Sequence, residues 1–372
     1  MAYVCRRKKP PLFLQSLSLT QFRNYSHQSY PFTGRVVGIS GANGVGKTNL
    51  LDAIYFLCFT RSYFSRTDAA SVQLGQAGFR IQGLIGGDKH QHEVVCILRE
   101  QGKKEFLVDQ EPVGRFSRHI GRFPVVFIAP DDIALVSEGA EERRRFLDTL
   151  LSQLDANYLQ ELIRYQKIIQ ERNSLLKALQ ENPGMDLGVL DVLDNQLAQS
   201  GQSIYQRRKD FLANFLPEVT HRYAFIAGKA EVPVIRYQSG LHETDFASLL
   251  RRNRSRDIAV ARTLSGVHRD DLELELNGLP FRQTASQGQR KSLLFAFKLA
   301  EFSALQAAKG SPPLLLLDDI FEKLDAERME NLLHWVCKEN AGQVFLTDTH
   351  QRRIQDVMTR LGVDCQYIEL IA

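Results

Sequence analysis

The chain has 372 residues, 44% of them hydrophobic and 24% charged, the composition of a soluble globular protein with two domains or one domain carrying an insertion. Its 47 lysines and arginines against 43 acidic residues leave a net charge of only +4, which excludes a histone-like polycation and requires any nucleic-acid binding to come from a local patch. Five dispersed cysteines (Cys5, Cys58, Cys96, Cys337, Cys365) form no CxxC pair, against a disulfide framework or a zinc site and for reduced thiols in a cytosolic setting.

The first third reads as short strands and turns. Strands are expected at 14–20, 36–40, 79–85, 92–99, 105–108 and 123–128, with a helix over 48–58. Near Ala140 the period becomes helical and continues to Asn182, where Asn182-Pro183-Gly184 breaks it. A second helical stretch runs from about Val189 to Phe215, with Pro217 marking its end. The two predict an antiparallel helical hairpin, too short for a coiled-coil rod. A basic run, Arg251-Arg252-Asn253-Arg254-Ser255-Arg256, follows a polar stretch. Strand character returns at 272–276 before the turn dipeptide Asn277-Gly278. A helix over 288–309, a buried strand over 314–317, a helix over 328–340, a strand over 344–347, a last helix and a last strand complete the pattern. No stretch resembles a signal peptide, and no run approaches the ~18 apolar residues a membrane span needs. A cytoplasmic protein without a membrane partner is expected.

The most specific local feature is Gly41-Ala42-Asn43-Gly44-Val45-Gly46-Lys47-Thr48, which fits GxxxxGK[ST] between an expected strand and an expected helix. Its glycines let backbone N–H groups curl round a phosphate, and the helix N-terminus favours negative charge there. Lys47 is the candidate ligand of the β- and γ-phosphates, Thr48 of Mg²⁺, and Asn49 continues the loop. The second half of such a site is an apolar strand ending in acid. Leu314-Leu315-Leu316-Leu317-Asp318-Asp319 supplies it, with Asp318 for Mg²⁺ and Asp319 for the attacking water. Lys47 and Asp318 lie 271 positions apart, so a large insertion must separate two halves that fold together.

Ser286, Gln287, Gly288 and Gln289 open a long helix ahead of that strand, a degenerate signature motif of ABC-type ATPases. A signature at a helix start addresses a γ-phosphate across a two-fold dimer, which predicts an ATP-dependent homodimer. Asp325 falls where a D-loop follows, and His350, ending the next strand, is a candidate γ-phosphate sensor. The resulting expectation is an α/β fold, a P-loop ABC/SMC-type ATPase head with an inserted helical lobe. Residues 1–145 plus 262–372 would form the ATPase lobe and 146–261 the helical lobe.

Over nearly its whole length the sequence resembles the RecF family, recombination-mediator ATPases of bacterial DNA repair related to SMC heads. The resemblance rests on Phe22-Arg23-Asn24-Tyr25, the phosphate loop with Leu50-Leu51-Asp52-Ala53-Ile54-Tyr55, Pro130-Asp131-Asp132-Ile133, and Arg143-Arg144-Arg145-Phe146-Leu147-Asp148. It extends to Gln170-Glu171-Arg172-Asn173-Ser174-Leu175-Leu176-Lys177 and Gly266-Val267-His268-Arg269-Asp270-Asp271. The chain departs from the family with Val267 for proline, Asp52 for glutamate, Tyr63-Phe64 where His-Arg is frequent, and Glu322-Lys323 for Ser-Glu. The resemblance implies a weak, DNA-dependent ATPase used as a switch. ATP and Mg²⁺ would close a homodimer on duplex and gapped DNA near single-strand–double-strand junctions, and hydrolysis would release it. It further implies RecR and RecO as partners, RecA loading in gap repair and the SOS response, and a nucleoid-associated cytoplasmic location.

From the residues alone, Arg251, Arg252, Arg254 and Arg256 are the candidate DNA contacts, although a basic run more often marks a solvated face. No base-reading module is present, so binding would be salt-dependent and largely independent of sequence. A transporter-type ABC ATPase subunit, a small-molecule kinase and an ATP-binding structural head stay open as alternatives.

Overall fold

In a computed structural model that describes residues 10–87, 90–182, 184–227, 232–320 and 326–371, the first third of the chain is largely sheet. It forms β1 (Phe13–Phe22), β2 (Tyr25–Pro31), β3 (Val36–Ser40), α1 (Lys47–Phe59), β4 (Phe79–Gly87), β5 (His90–Leu98), β6 (Lys104–Val108), β7 (Glu111–Pro112) and β8 (Val125–Ile128). Four helices follow: α2 (Ala134–Ser137), α3 (Ala140–Leu154), α4 (Ala156–Glu181) and α5 (Gly188–Ala227). Next come β9 (Val234–Gln238), α6 (Phe246–Ala259), β10 (Asp271–Leu276), β11 (Leu279–Pro280), α7 (Phe281–Thr284) and α8 (Gln287–Lys309). The last elements are β12 (Leu314–Leu317), α9 (Ala326–His334), β13 (Val344–Asp348), α10 (Gln351–Leu361) and β14 (Cys365–Glu369).

These elements form two compact units. One comprises Met1–Ile133, Phe225–Ala227 and Gln287–Ala372; the other comprises Ala134–Ala224 and Gly228–Ser286. The divisions at 133/134 and 286/287 differ from those expected at 145/146 and 261/262. Helix α3 runs unbroken through 145/146, and β10 pairs along its length with β9, so neither expected cut falls where contacts thin out.

The first unit contains a parallel sheet of order β14-β3-β13-β12-β8 and an antiparallel sheet of order β2-β1-β4-β5-β6-β7. β3, β8, β12 and β13 are buried at every position, as expected of parallel strands covered on both faces. Between the sheets runs α1, whose residues from Leu50 to Phe59 are all buried and pack against both β4 and β13. Gln343 stitches the two chain ends together. The pairing of β1 with β2 reaches only to Ser16, and beyond it Gln343 binds the Leu14 backbone, accepting from Leu14 N at 2.7 Å and donating to Leu14 O at 3.0 Å.

In the second unit, the helical stretch expected over 141–182 is two helices. Asp155 ends α3 and caps α4, its carboxylate accepting from Asn157 N at 2.8 Å. Pro217 does not end α5, which continues to Ala227. The buried stripe Leu212, Phe215, Val219, Tyr223 crosses the proline, and its packing outweighs the one lost backbone bond. α4 and α5 run antiparallel, with Tyr158 touching Arg208 and Arg172 touching Asp194. The fully buried Arg172 also reaches Asp257 at 2.8 Å, tying α6 to both helices.

The Gly266–Asp271 turn is locked from several sides. A Cβ on Gly266 (φ 126°) would sit 2.3 Å from Phe246 and 2.6 Å from the Tyr165 hydroxyl, so only glycine fits. Val267, in place of proline, is buried, and its carbonyl accepts from Arg208 at 2.7 Å. His268 Nε2 lies 3.1 Å from Thr263 O and must donate, so Nδ1 accepts from Tyr165 OH at 2.7 Å. Burial pushes His268 down to about 4, keeping the ring neutral.

Candidate nucleotide site

Ser40 ends β3 and Lys47 starts α1, and residues 41–46 bridge them in a glycine loop. Gly41, Gly44 and Gly46 all have positive φ, and a Cβ on Gly44 would meet nothing within 4 Å. The loop is braced from below by the β1–β2 turn. Asn24 Nδ2 donates to Val45 O at 2.8 Å and Tyr25 OH donates to Gly46 O at 2.9 Å, while Asn49 Nδ2 donates to Asn24 Oδ1 at 2.8 Å. Lys47, itself buried, donates to Gly41 O and Ala42 O at 2.8 and 3.1 Å. The first turn of α1 holds no acidic side chain, so its N-terminal N–H groups and dipole favour an incoming anion.

Strand order then brings the distant acid to the loop. β3, β13 and β12 are parallel neighbours, so the segments after Ser40, Asp348 and Leu317 emerge at one edge, where open α/β sheets bind ligands. Thr48 Oγ1 donates to Asp318 Oδ2 at 2.8 Å, and Thr347 Oγ1 donates to Asp318 Oδ1, also at 2.8 Å. Burial raises the Asp318 carboxyl above the usual range; the two threonine hydroxyls pull it back, and the adjacent Asp319 charge adds to the rise. Asp319 has a left-handed backbone (φ 45°), and its N–H donates to Thr347 Oγ1 at 2.9 Å, so Thr347 sets both acids. Asp348 accepts from His350 N at 2.7 Å and pairs with Arg353 at 3.1 Å, while the His350 ring is exposed at the start of α10.

The hydroxyl and carboxylate oxygens of Thr48 and Asp318 suit a hard cation such as Mg²⁺ that takes its remaining ligands from water and phosphate. Among the described residues no group of three or more His, Cys, Asp or Glu side chains could hold a metal by itself.

Lys47, Thr48, Asp318 and Asp319 are thus brought together. Ser286 and Gln287 are exposed at the start of α8, followed by the half-buried Gly288 and Gln289. Asp325, with Glu322-Lys323, lies outside the described residues. Of the arginines, Arg254 is held by Asp191 and Asp194, Arg251 donates to Ser248 Oγ at 3.0 Å, and Arg252 and Arg256 are exposed.

Asp52 and Tyr63, two of the residues that depart from the family pattern, are structural. Asp52 is buried and accepts from Arg23, Ser62 Oγ and Tyr63 N. Tyr63 stacks on Phe127 at 4.5 Å, and its hydroxyl donates to Asp132. Sequence reasoning missed Thr347 as the residue that sets both acids. It also missed Asn24 and Tyr25 as braces; their motif carried the resemblance without revealing that it supports the loop.

The RecF/RecN/SMC N terminal domain family matches residues 13–368. The DNA replication and repair protein RecF of Flavobacterium johnsoniae is 39% identical over 347 residues, covering 93% of this chain and 97% of that one. A solved structure of the recombination mediator protein RecF-ATPrS in the RecFOR pathway superposes with a TM-score of 0.86 at 28% identity, covering 98% of both chains. An Smc head domain from Pyrococcus furiosus shares the fold at a TM-score of 0.54 and 15% identity, covering 97% of this chain and 94% of that one. With a full-length match to RecF and an ABC/SMC-type head whose loop and acid strand meet, the chain belongs to the RecF family of DNA replication and repair proteins.

Proposed function

We propose that the protein is an ATP-dependent, DNA-binding recombination mediator whose heads dimerise on ATP and bind duplex DNA at gaps. The carrying observation is the 2.8 Å bond from Thr48 to Asp318, which joins the phosphate loop to the acid strand. In this reading the loop N–H groups and Lys47 hold the triphosphate, and Thr48 and Asp318 hold Mg²⁺. Asp319 accepts a proton from water, and the exposed His350 ring faces the outermost phosphate. Bound ATP with Mg²⁺ supplies the transferable phosphoryl group and the charge that a second subunit recognises.

Ser286, at the N-terminus of α8, and Gly288 in its first turn address the triphosphate of the other subunit, and Asp325 is the D-loop residue of this reading. Hydrolysis is slow and opens the dimer. The relative solved as RecF-ATPrS in the RecFOR pathway supports ATP as nucleotide and RecO and RecR as partners. RecA loading is the downstream step of the same proposal. Among the described residues no helix is long and apolar enough to cross a membrane. A cytoplasmic, nucleoid-associated location belongs to the same proposal.

Sedimentation velocity with and without ATP, in the presence of labelled duplex DNA, tests the reading. A dimer that forms and takes up DNA only with ATP is expected; a monomer under every nucleotide condition would overturn it.

A further inference from the structure

The arginines of α6 divide between two faces. Arg254 is held by Asp191 at 2.5 Å and Asp194 at 2.8 Å. Arg252, Asn253 and Arg256 share the other face with Leu249, at i, i+3, i+4 and i+7, and line a 410 Å³ cavity. The opposite wall carries Arg269, Ser265 and Gly266. Arg269 is delivered by the turn that Gly266 makes possible, its N–H donating to Gly266 O at 2.8 Å. Asn253 Nδ2 donates to Ser265 Oγ at 2.6 Å and joins the walls, leaving the Ser265 hydroxyl proton for a ligand.

Charge pairing distinguishes these three cations from several other arginines of the unit. Arg143, Arg172, Arg207, Arg208 and Arg254 of the same unit each have a carboxylate partner. Among the described residues no carboxylate lies within ion-pair distance of Arg252, Arg256 or Arg269. Three unpaired guanidinium groups round one cavity repel each other, and an anion relieves that repulsion. The forked donors match phosphate geometry. The lining holds no aromatic ring to stack a base and no acid to grip a ribose, so only a phosphate group is recognised.

We propose that this cavity is a pocket for backbone phosphates of DNA, contributing affinity without reading sequence. The inference rests on the DNA-binding reading above and assigns part of that binding to Arg252, Arg256 and Arg269, with no direct part for Arg254.

The test measures affinity of the full-length protein, with ATP, for a labelled duplex across a salt series. Replacing Arg252, Arg256 and Arg269 together by alanine should weaken binding about tenfold at low salt and flatten the log–log salt slope by about 1 to 2, the share of one or two phosphates. The three lysine replacements should keep the slope and lose part of the affinity, which reads the pocket even if the alanine protein fails to fold. Arg164→Ala, an exposed arginine of α4 outside the cavity, should leave both quantities unchanged. Parent binding with no change in the alanine and lysine proteins would overturn the pocket while leaving DNA binding standing; a parent that binds no DNA would overturn both. Inorganic phosphate should displace DNA better than chloride at equal ionic strength, and that selectivity should be lost in the alanine protein. Phosphate that binds at Arg252, Arg256 and Arg269 while leaving DNA affinity unchanged would instead identify a free-anion site and overturn the assignment to DNA.

Discussion

Thr48 Oγ1 donates to Asp318 Oδ2 across 2.8 Å, although the residues are 270 positions apart in the chain. The bond orients the two oxygens that a cation would take. Asp318→Asn keeps the shape and removes the charge. Both threonine hydroxyls can rotate to suit an amide, and loss of a buried charge offsets a weaker hydrogen bond, so stability should change by no more than about 1 kcal/mol. The functional effect should be much larger. In the parent, Mg²⁺ should tighten ATP binding by about tenfold or more, about 1.4 kcal/mol, and in the variant it should add little. Nucleotide titrations with and without Mg²⁺, alongside a thermal melt, check both halves.

Asn24 and Tyr25 brace the loop through Val45 O and Gly46 O. Asn24→Ala and Tyr25→Phe should each cost about 1 kcal/mol in ordering the loop, or roughly a fivefold rise in the Kd for ATP, with the fold retained. Gly46→Ala should abolish binding, because a Cβ there would stand 2.5 Å from Asn24 Nδ2 on a backbone with φ 114°. The double variant Asn24→Ala, Gly46→Ala should not recover it, since the backbone strain stays when the clash is removed. Equilibrium nucleotide binding on all four proteins decides this.

How much of this was legible follows from which signals are local. The phosphate loop, the strand 314–317 and the helix after Ser286 announce themselves within ten residues, because glycine spacing, apolar runs and helix starts are written in sequence order. The strand at 25–31 is Tyr-Ser-His-Gln-Ser-Tyr-Pro, a mostly exposed run carrying no hydrophobic alternation, and only its pairing with β1 makes it a strand. β9 is likewise defined by its register with β10. Thr347 was visible as a strand-end residue, but its hold on Asp318 and Asp319 depends on β13 lying between β3 and β12. Arg254 and Arg256 are alike in sequence; only the position of α5's carboxylates separates a tether from a free cation.

Ser286 is exposed immediately before α8. Ser286→Arg places a long cation at the positive end of a helix dipole, an exposed change expected to alter monomer stability by only about 0.5 kcal/mol. If this helix start addresses a partner's nucleotide, the variant should bind ATP within twofold of the parent, stay monomeric and lose ATP-stimulated DNA binding. Dimerisation of the variant at parental ATP concentrations would remove the signature from the interface.

Lys298 of α8 lies 3.4 Å from Asp132, 3.7 Å from Glu301 and 3.3 Å from the Tyr63 hydroxyl, in a buried cluster beside β8. Burial drives Glu301 up to about 7, with Lys298 opposing the rise and Asp132 adding to it. An unfolded chain releases this proton near pH 4.5, the ordinary value, whereas the folded protein keeps it until about 7. Between those limits the folded state binds more protons, so stability falls as pH rises through the window and stays lowered above it. Glu301→Gln carries no such proton, and Lys298 retains Asp132. The variant's melting temperature should therefore depend less on pH between 5 and 7.5 and exceed the parent's at pH 8. Parallel pH–melting curves for the two proteins would show instead that Glu301 is ionised throughout, held charged by Lys298.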